Sequence, residues 1–214
     1  MRLLLAALML MMGTISAAAQ WLDRPTPGIP RTHDGKPDLT APAPRGPGGT
    51  PDLSGIWNGP NPLARPDPAN AQAWVNDILR QRQQDYYRGR PLFQCKPSGP
   101  ESARFAGWKR IRQTPAALVI LNDDLTYRVI HMDGRELEPN PAPSWMGYSV
   151  GRWDGDTLVV NSVGFNDKTW LNDAGLPHTE ALRVTERYRR RDVGHLEMEV
   201  TYTCLLYTSD AADE

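Results

Sequence analysis

The chain has few of the residues on which reactive and metal-binding sites depend. It contains two cysteines and four histidines in 214 residues, and no two histidines stand at the i, i+2 or i, i+4 spacing of local metal ligands. It also lacks a Cys-x-x-Cys pair, a phosphate-binding loop and the glycine motif of dinucleotide-binding folds. We therefore predict no metal site, no cofactor and no catalytic residue from local motifs.

An excess of charge of one sign is also missing. Lysine and arginine number 24 and aspartate and glutamate number 25, for a formal net charge of −1. A protein that binds nucleic acid or an anionic membrane electrostatically needs a one-signed basic surface. The composition thus argues against nucleic acid as a partner, and it leaves the oligomeric state open.

The only long apolar run is at the N-terminus. Arg2 precedes a continuously apolar segment from Leu3 to Met12, and small residues at 17–19 stand ahead of Gln20. This is the layout of a cleavable bacterial signal peptide, and the run is too short for the ~20 residues of a membrane-spanning helix. We expect residues 1–19 to be removed and the protein to be periplasmic or secreted, without a membrane anchor.

The C-terminal residues 204–214 resemble, codon by codon, the translated end of a sequencing-library adaptor. We expect this tail to be non-native, so that the native sequence is a fragment ending at Thr203. Cys95 is then the single native cysteine. In an oxidising compartment it either pairs with a cysteine outside the fragment or serves as a small buried apolar residue.

Proline and glycine dominate the segment that follows the signal peptide. More than half of the 20 prolines lie between Pro25 and Pro68. We predict an extended or disordered linker over 20–50, because proline cannot donate ladder hydrogen bonds. Residues 35–40 and 49–54 nearly repeat each other within this region.

One amphipathic helix is predicted before the strands begin. Asp67 and Pro68 suit its N-cap and first turn, and the chain should leave it near Gly89. Its apolar face is formed by four residues at helical spacing, namely Trp74, Val75, Ile78 and Leu79.

From Ala117 onward the apolar residues alternate, which predicts three hairpins. Their strands are 118–121 with 126–132, 147–153 with 157–163, and 182–190 with 195–202. Asp154-Gly155 is the dipeptide preferred in a type I′ turn. A mainly β domain over 51–203 is therefore predicted, an antiparallel meander that forms a curved sheet or an incomplete lipocalin-like barrel.

Two charges interrupt the apolar faces of these strands. Alternation places Glu186 among Leu182, Val184 and Tyr188, and it places Arg152 with Tyr148 and Val150. A buried carboxylate must be paired, neutralised or hydrated. We predict either a buried Arg152–Glu186 ion pair or a polar end to a ligand cavity. Small residues on the other face of that strand should let a tryptophan pack on its backbone.

Seven segments give the chain a resemblance to a family of exported bacterial β-rich proteins of unknown function. They are Pro51–Trp57, Cys95–Gly99, Arg128–Arg135, Ser144–Val160, Gly164–Asn166, His178–Glu180 and Thr185–Arg187. Gly55-Ile-Trp57 further resembles the first-strand motif of lipocalins. The resemblance implies export and a β-rich fold and implies no reaction. Relatives continue beyond Tyr202.

These observations favour a protein that binds a small hydrophobic or amphipathic ligand in a barrel-like cavity. The residues predicted to line it are Trp57, Tyr148, Arg152 and Glu186. Two alternatives remain open: a hydrolase that uses His178 or Glu180, and a structural module of the cell envelope whose proline-rich arm docks on a partner's sheet edge.

Overall fold

The computed structural model describes residues 28–59, 72–103 and 107–204. The chain divides into two compact units after Asp38. The predicted signal peptide, the predicted helix start at Asp67 and Pro68, and the tail beyond Cys204 lie outside the described residues.

The second unit is built on one eight-stranded sheet whose strands follow one another in chain order. It is a nearly closed barrel in which the edge strands β1 and β8 leave one seam unsealed, so the predicted mainly β, incomplete barrel is confirmed. The strands are β1 Gly55–Gly59, β2 Gly107–Gln113, β3 Ala117–Asn122, β4 Tyr127–His131, β5 Tyr148–Asp154, β6 Thr157–Val163, β7 Arg183–Arg190 and β8 Leu196–Thr203.

One junction departs from the predicted antiparallel meander. β4 and β5 run parallel, and only two residue pairs join them, Ile130 with Ser149 and His131 with Val150. The connection over 132–147 is long enough to carry the chain back along the sheet before β5 begins. The barrel wall is therefore thinly joined at this point.

The hairpin between β5 and β6 lies where it was predicted, but its turn is not the predicted type I′ turn. Asp154 pairs with Thr157, so the two turn residues are Gly155 and Asp156. Gly155 has φ +58° and Asp156 does not have a positive φ. This is the pattern of a type II′ turn, whereas type I′ requires positive φ at both positions.

The helix α1 spans Ala73–Gln84 and confirms the single predicted helix. It ends earlier than Gly89 because Tyr86 and Tyr87 adopt left-handed conformations, with φ of 52° and 55°. Val75 is its fully buried residue. It belongs to a cluster with six other buried residues, Phe165, Leu171, Leu176, Leu182, Val184 and Cys204.

The barrel interior holds a second apolar cluster, whose buried members come from five strands and from the segment before β1. Its buried members are Leu53, Ile111, Leu118, Ile120, Ile130, Leu158, Val160 and Tyr188. The predicted inward faces of β7 and β8 are confirmed, because Glu186 and Tyr188 are buried and the residues of β8 alternate in exposure.

The face assigned to β5 is wrong for Arg152. Ser149 and Gly151 point into the barrel, Arg152 is exposed, and Val150 is buried on the other side of the strand. Gly151 has no room for a side chain, since an added Cβ would lie 2.6 Å from Met132 Sδ and 3.0 Å from Ile130 Cγ2. The two glycines therefore admit Met132 and Ile130 at Gly151 and the Phe165 ring at Gly147, rather than the predicted tryptophan.

β2 was not predicted from the sequence. Its inward residues are Lys109 and Ile111, and the remaining positions of Gly107–Gln113 are polar or exposed. Because Lys109 lies on the core face, β2 lacks the alternation of apolar and polar residues from which the other strands were predicted.

The structure describes residues 28–50 of the proline-rich segment, and this part contains two local turns. Within the described residues, Arg31 forms an isolated bridge with Pro37, and Arg45 forms one with Pro51. Each bridge closes a hydrogen-bonded turn, because backbone groups that proline leaves unpaired find local partners.

Candidate functional site

A pocket of about 460 Å³ lies where β4 and β5 are thinly joined. Residues of both strands line the opening. The lining residues are Pro97, Leu125–Val129, His131 and Ser144–Ser149. This volume is within the range of small-molecule binding sites, about 300–1,000 Å³.

The pocket walls are largely aromatic and apolar. Tyr127, Trp145 and Tyr148 are three of the lining residues. The rings of His131 and Tyr148 lie 5.3 Å apart and are tilted by 39°. Such walls bury an apolar or planar ligand and place an imidazole beside it.

The buried polar residues of the lining are Arg128 and its neighbour Ser149. Arg128 Nη1 donates to Glu186 Oε1 at 2.9 Å, and Nη2 donates to the second carboxylate oxygen. Nη2 also donates to Ser149 Oγ at 3.1 Å and to Ser162 Oγ at 2.8 Å. The side chain of Arg128 is 3% exposed and that of Glu186 is 0% exposed.

The network continues to Tyr188, whose hydroxyl donates to Glu186 Oε1 at 2.6 Å. Burial and the Glu186 charge together raise the pKa of Tyr188 well above its usual value. Burial alone would lower the pKa of Arg128, but the charge of Glu186 and its hydrogen bonds raise the pKa. Arg128 therefore stays charged near neutrality, with its guanidinium hydrogen-bonded to both carboxylate oxygens of Glu186.

The predicted partner of Glu186 was Arg152, and this pairing is wrong. Arg152 is exposed, and its Nη2 donates to Glu136 Oε1 at 2.8 Å. Because strand alternation leaves both faces of β5 partly apolar, the sequence pattern alone did not fix which face was inward. Arg128 lies on β4, the strand next to that of Arg152, and its guanidinium reaches Glu186 on β7 across the barrel interior.

Trp57 lies away from the pocket, near the seam between β1 and β8. Its indole N–H donates to the carbonyl oxygen of Leu53 at 3.0 Å, and the Arg190 guanidinium lies 4.9 Å from its ring centroid. Arg190 Nη1 also donates to the carbonyl oxygen of Ser54 at 3.2 Å, which ties β7 to the segment before β1. Trp57 thus packs beside Arg190, whose hydrogen bond to Ser54 crosses the seam.

Of the four predicted site residues, the structure brings two to one region. Tyr148 lines the pocket, and Glu186 lies one hydrogen bond behind Arg128. The sequence reading missed Arg128, His131 and Trp145. A signal for Arg128 was present, because it stands two residues before the buried Ile130 in the same strand.

Residues 147–151 also have the form Gly-x-Ser-x-Gly, which in hydrolases places a nucleophilic serine on a strand-to-helix turn. Here Ser149 lies within β5. Its Oγ accepts from Arg128 and lies 2.9 Å from Ser162 Oγ. Within the described residues, no histidine hydrogen-bonds to it, so the arrangement is not that of an activated nucleophile.

A second cation is buried near one end of the barrel. Lys109 Nζ donates to Asn122 Oδ1 at 2.8 Å. Burial lowers the pKa of Lys109, and the charges of Asp123 and Asp124 partly oppose that change. The barrel interior is therefore polar at this end and apolar around Leu118 and Leu158.

His178 is buried in the segment between β6 and β7. Its Nδ1 lies 3.3 Å from the carbonyl oxygen of Thr179, and its Nε2 lies 2.9 Å from Thr169 Oγ1. A carbonyl only accepts, so in the neutral ring Nδ1 donates and Nε2 accepts from Thr169. Glu180 is exposed, and in the described chain no carboxylate hydrogen-bonds to His178.

This geometry predicts a pH-dependent contribution to stability. Burial lowers the pKa of His178 below its usual 6.5, although the bond to Thr179 acts in the opposite direction. The unfolded chain then binds the proton more readily, so the free energy of unfolding falls as pH decreases below about 6.5. Urea unfolding between pH 7.5 and pH 5 should show this slope, and His178→Gln should reduce it. An unchanged slope would refute the assignment.

The described residues contain neither a group of three or more potential metal ligands nor a helix long and apolar enough to span a membrane. Cys95 is exposed and Cys204 is buried, and both are free thiols. No protein-family model, curated protein or solved structure matches this chain.

Proposed function

We propose that the barrel binds a small hydrophobic or amphipathic molecule in the pocket between β4 and β5. The observation that carries the proposal is the pocket at the thin β4–β5 junction, whose lining combines aromatic side chains with the buried Arg128 and Ser149. The apolar body of the ligand would lie against Tyr127, Trp145 and Tyr148. Its polar end would face Ser149 and Arg128.

The conformation of Leu125 supports a binding role for this opening. Leu125 lines the pocket, is 94% exposed and has φ +64°. A left-handed backbone costs a leucine about 1–2 kcal/mol, and the exposed side chain gains nothing from burial. Strain of this kind is concentrated at ligand-binding sites. A ligand that covers Leu125 would account for the choice of leucine at this turn.

The expected setting is the bacterial periplasm or the exterior, because the N-terminal sequence has the form of a signal peptide. We propose a carrier or sensor of apolar molecules that operates outside the cytoplasm.

The direct test is a titration of the purified chain with fatty acids from octanoate to palmitate and with two-ring aromatic alcohols. Tryptophan fluorescence should change, because Trp145 lines the pocket. Calorimetry on Trp145→Ala should show about tenfold weaker binding. The control Trp108→Ala removes an exposed tryptophan outside the pocket and should leave binding unchanged. Equal losses in both variants, or no binding by any member of the panel, would overturn the proposal.

Leu125→Gly should change stability and binding in opposite directions. Glycine adopts a positive φ without strain, so the free energy of unfolding should rise, by up to about 1 kcal/mol. The same change removes an apolar side chain from the pocket mouth, so ligand affinity should fall severalfold. Urea unfolding and calorimetry on the same preparation measure both effects. A drop in stability, or unchanged affinity, would contradict this account of Leu125.

A further inference from the structure

The proline-rich segment contains one motif twice. Residues 30–40 and 44–54 both read Pro-Arg-x-x-x-Gly-x-Pro-Asp-Leu followed by threonine or serine. We call them the first and second PR motifs. The near-repeat of 35–40 and 49–54 is the C-terminal half of this longer motif.

The first PR motif folds into a tight turn. Arg31 forms a bridge with Pro37, and the backbone N–H of Asp38 donates to the carbonyl oxygen of Pro30 at 2.8 Å. The guanidinium of Arg31 folds back, and its Nη1 donates to the carbonyl oxygen of Gly35 at 2.6 Å.

The second PR motif repeats these contacts one for one. Arg45 forms a bridge with Pro51, and the N–H of Asp52 donates to the carbonyl oxygen of Pro44 at 2.8 Å. Arg45 Nη1 donates to the carbonyl oxygen of Gly49 at 2.6 Å. The shared sequence therefore specifies a shared turn that holds an arginine in one orientation.

The second motif shows what an arginine held in this way binds. Arg45 Nη1 and Nη2 donate to Asp156 Oδ1 and Oδ2 at 2.9 and 2.8 Å. Asp156 is the second residue of the two-residue turn between β5 and β6. The contact is a bidentate pair between a planar guanidinium and a carboxylate displayed at a hairpin turn. Leu53, near the end of the same motif, is fully buried in the barrel.

The corresponding residues of the first motif face solvent. Arg31 is exposed. Leu39, the counterpart of Leu53, is 52% exposed. The hydrogen bond to Gly35 already orients the Arg31 guanidinium, which lowers the entropy lost when it binds a carboxylate.

We propose that the first PR motif is a docking element for a partner protein that displays an aspartate at a two-residue hairpin turn. Arg31 would bind the carboxylate of that aspartate in the bidentate manner of Arg45 and Asp156. This inference is independent of the ligand pocket, because none of the pocket residues belongs to the motif.

The test uses the full chain, labelled with ¹⁵N, and a backbone-cyclised peptide with the sequence of residues 152–159, which carries the Asp156 turn. The amide resonances of Thr32 and Gly35 should shift and saturate with a dissociation constant of millimolar order, as one exposed bidentate pair allows. Arg31→Ala should abolish these shifts, and so should a peptide that carries Asp156→Asn.

Lys36→Ala is the matched control. It removes the same charge from the same turn, where Lys36 pairs with Asp34, and leaves the guanidinium in place. Shifts retained in Lys36→Ala and lost in Arg31→Ala support bidentate docking. Absent shifts in the unaltered chain, shifts that survive Arg31→Ala, or equal losses in both variants would overturn the proposal.

Discussion

Arg128→Met should lower the free energy of unfolding by about 3–5 kcal/mol, the largest effect that we expect from a single substitution. Methionine fills much of the same volume, so the loss comes from electrostatics rather than from a cavity. Glu186 is fully buried and would lose the guanidinium that bonds both of its oxygens. Urea unfolding, monitored by circular dichroism, measures the change.

The double variant Arg128→Met with Glu186→Gln separates this explanation from a simple loss of packing. Glutamine keeps an oxygen that can accept the hydrogen of the Tyr188 hydroxyl, and it removes the negative charge that Arg128 compensates. The double variant should therefore recover most of the lost stability. A double variant less stable than Arg128→Met would show that the two charges are not a compensating pair.

Leu53→Ala should cost about 3 kcal/mol, because Leu53 is fully buried in the barrel cluster just before β1. The cavity would open beside a segment that two hydrogen bonds also fix to the barrel. The backbone N–H of Leu53 donates to Gln113 Oε1, and Arg190 Nη1 donates to the carbonyl oxygen of Ser54. The substitution therefore tests how firmly the second PR motif is fixed to the barrel.

The chain offers a matched control in Leu39→Ala, since Leu39 occupies the same place in the first PR motif and is exposed. Its cost should stay within about 0.5 kcal/mol. Equal effects of the two substitutions would contradict the difference in burial that the structure shows between the motifs.

Alternation predicted the facing of β7 and β8, whose inward residues are mostly apolar. β7 and β8 were placed correctly, with Val184 and Met198 inward, because each strand has one clearly polar face. Glu186 was recognised as a buried charge for the same reason. Local patterns of this kind carry information about strand identity and facing, and little about which strands meet.

Long-range contacts could not be predicted in this way. The partner of Glu186 depends on which strand crosses the barrel opposite it, so Arg128 could not be told from Arg152 by spacing alone. β2 escaped prediction because the buried Lys109 mimics an exposed strand position. The pocket exists because β4 and β5 run parallel over only two pairs, and this follows from the path of residues 132–147.

Intermolecular nuclear Overhauser effects would test the central claim most directly. The labelled chain would be saturated with the tightest-binding member of the ligand panel. The account predicts contacts from ligand protons to the rings of Trp145 and Tyr148 and to the side chain of Val129. Contacts confined to Ile56 and Trp108, exposed apolar residues outside the pocket, would show that the ligand binds elsewhere and would contradict it.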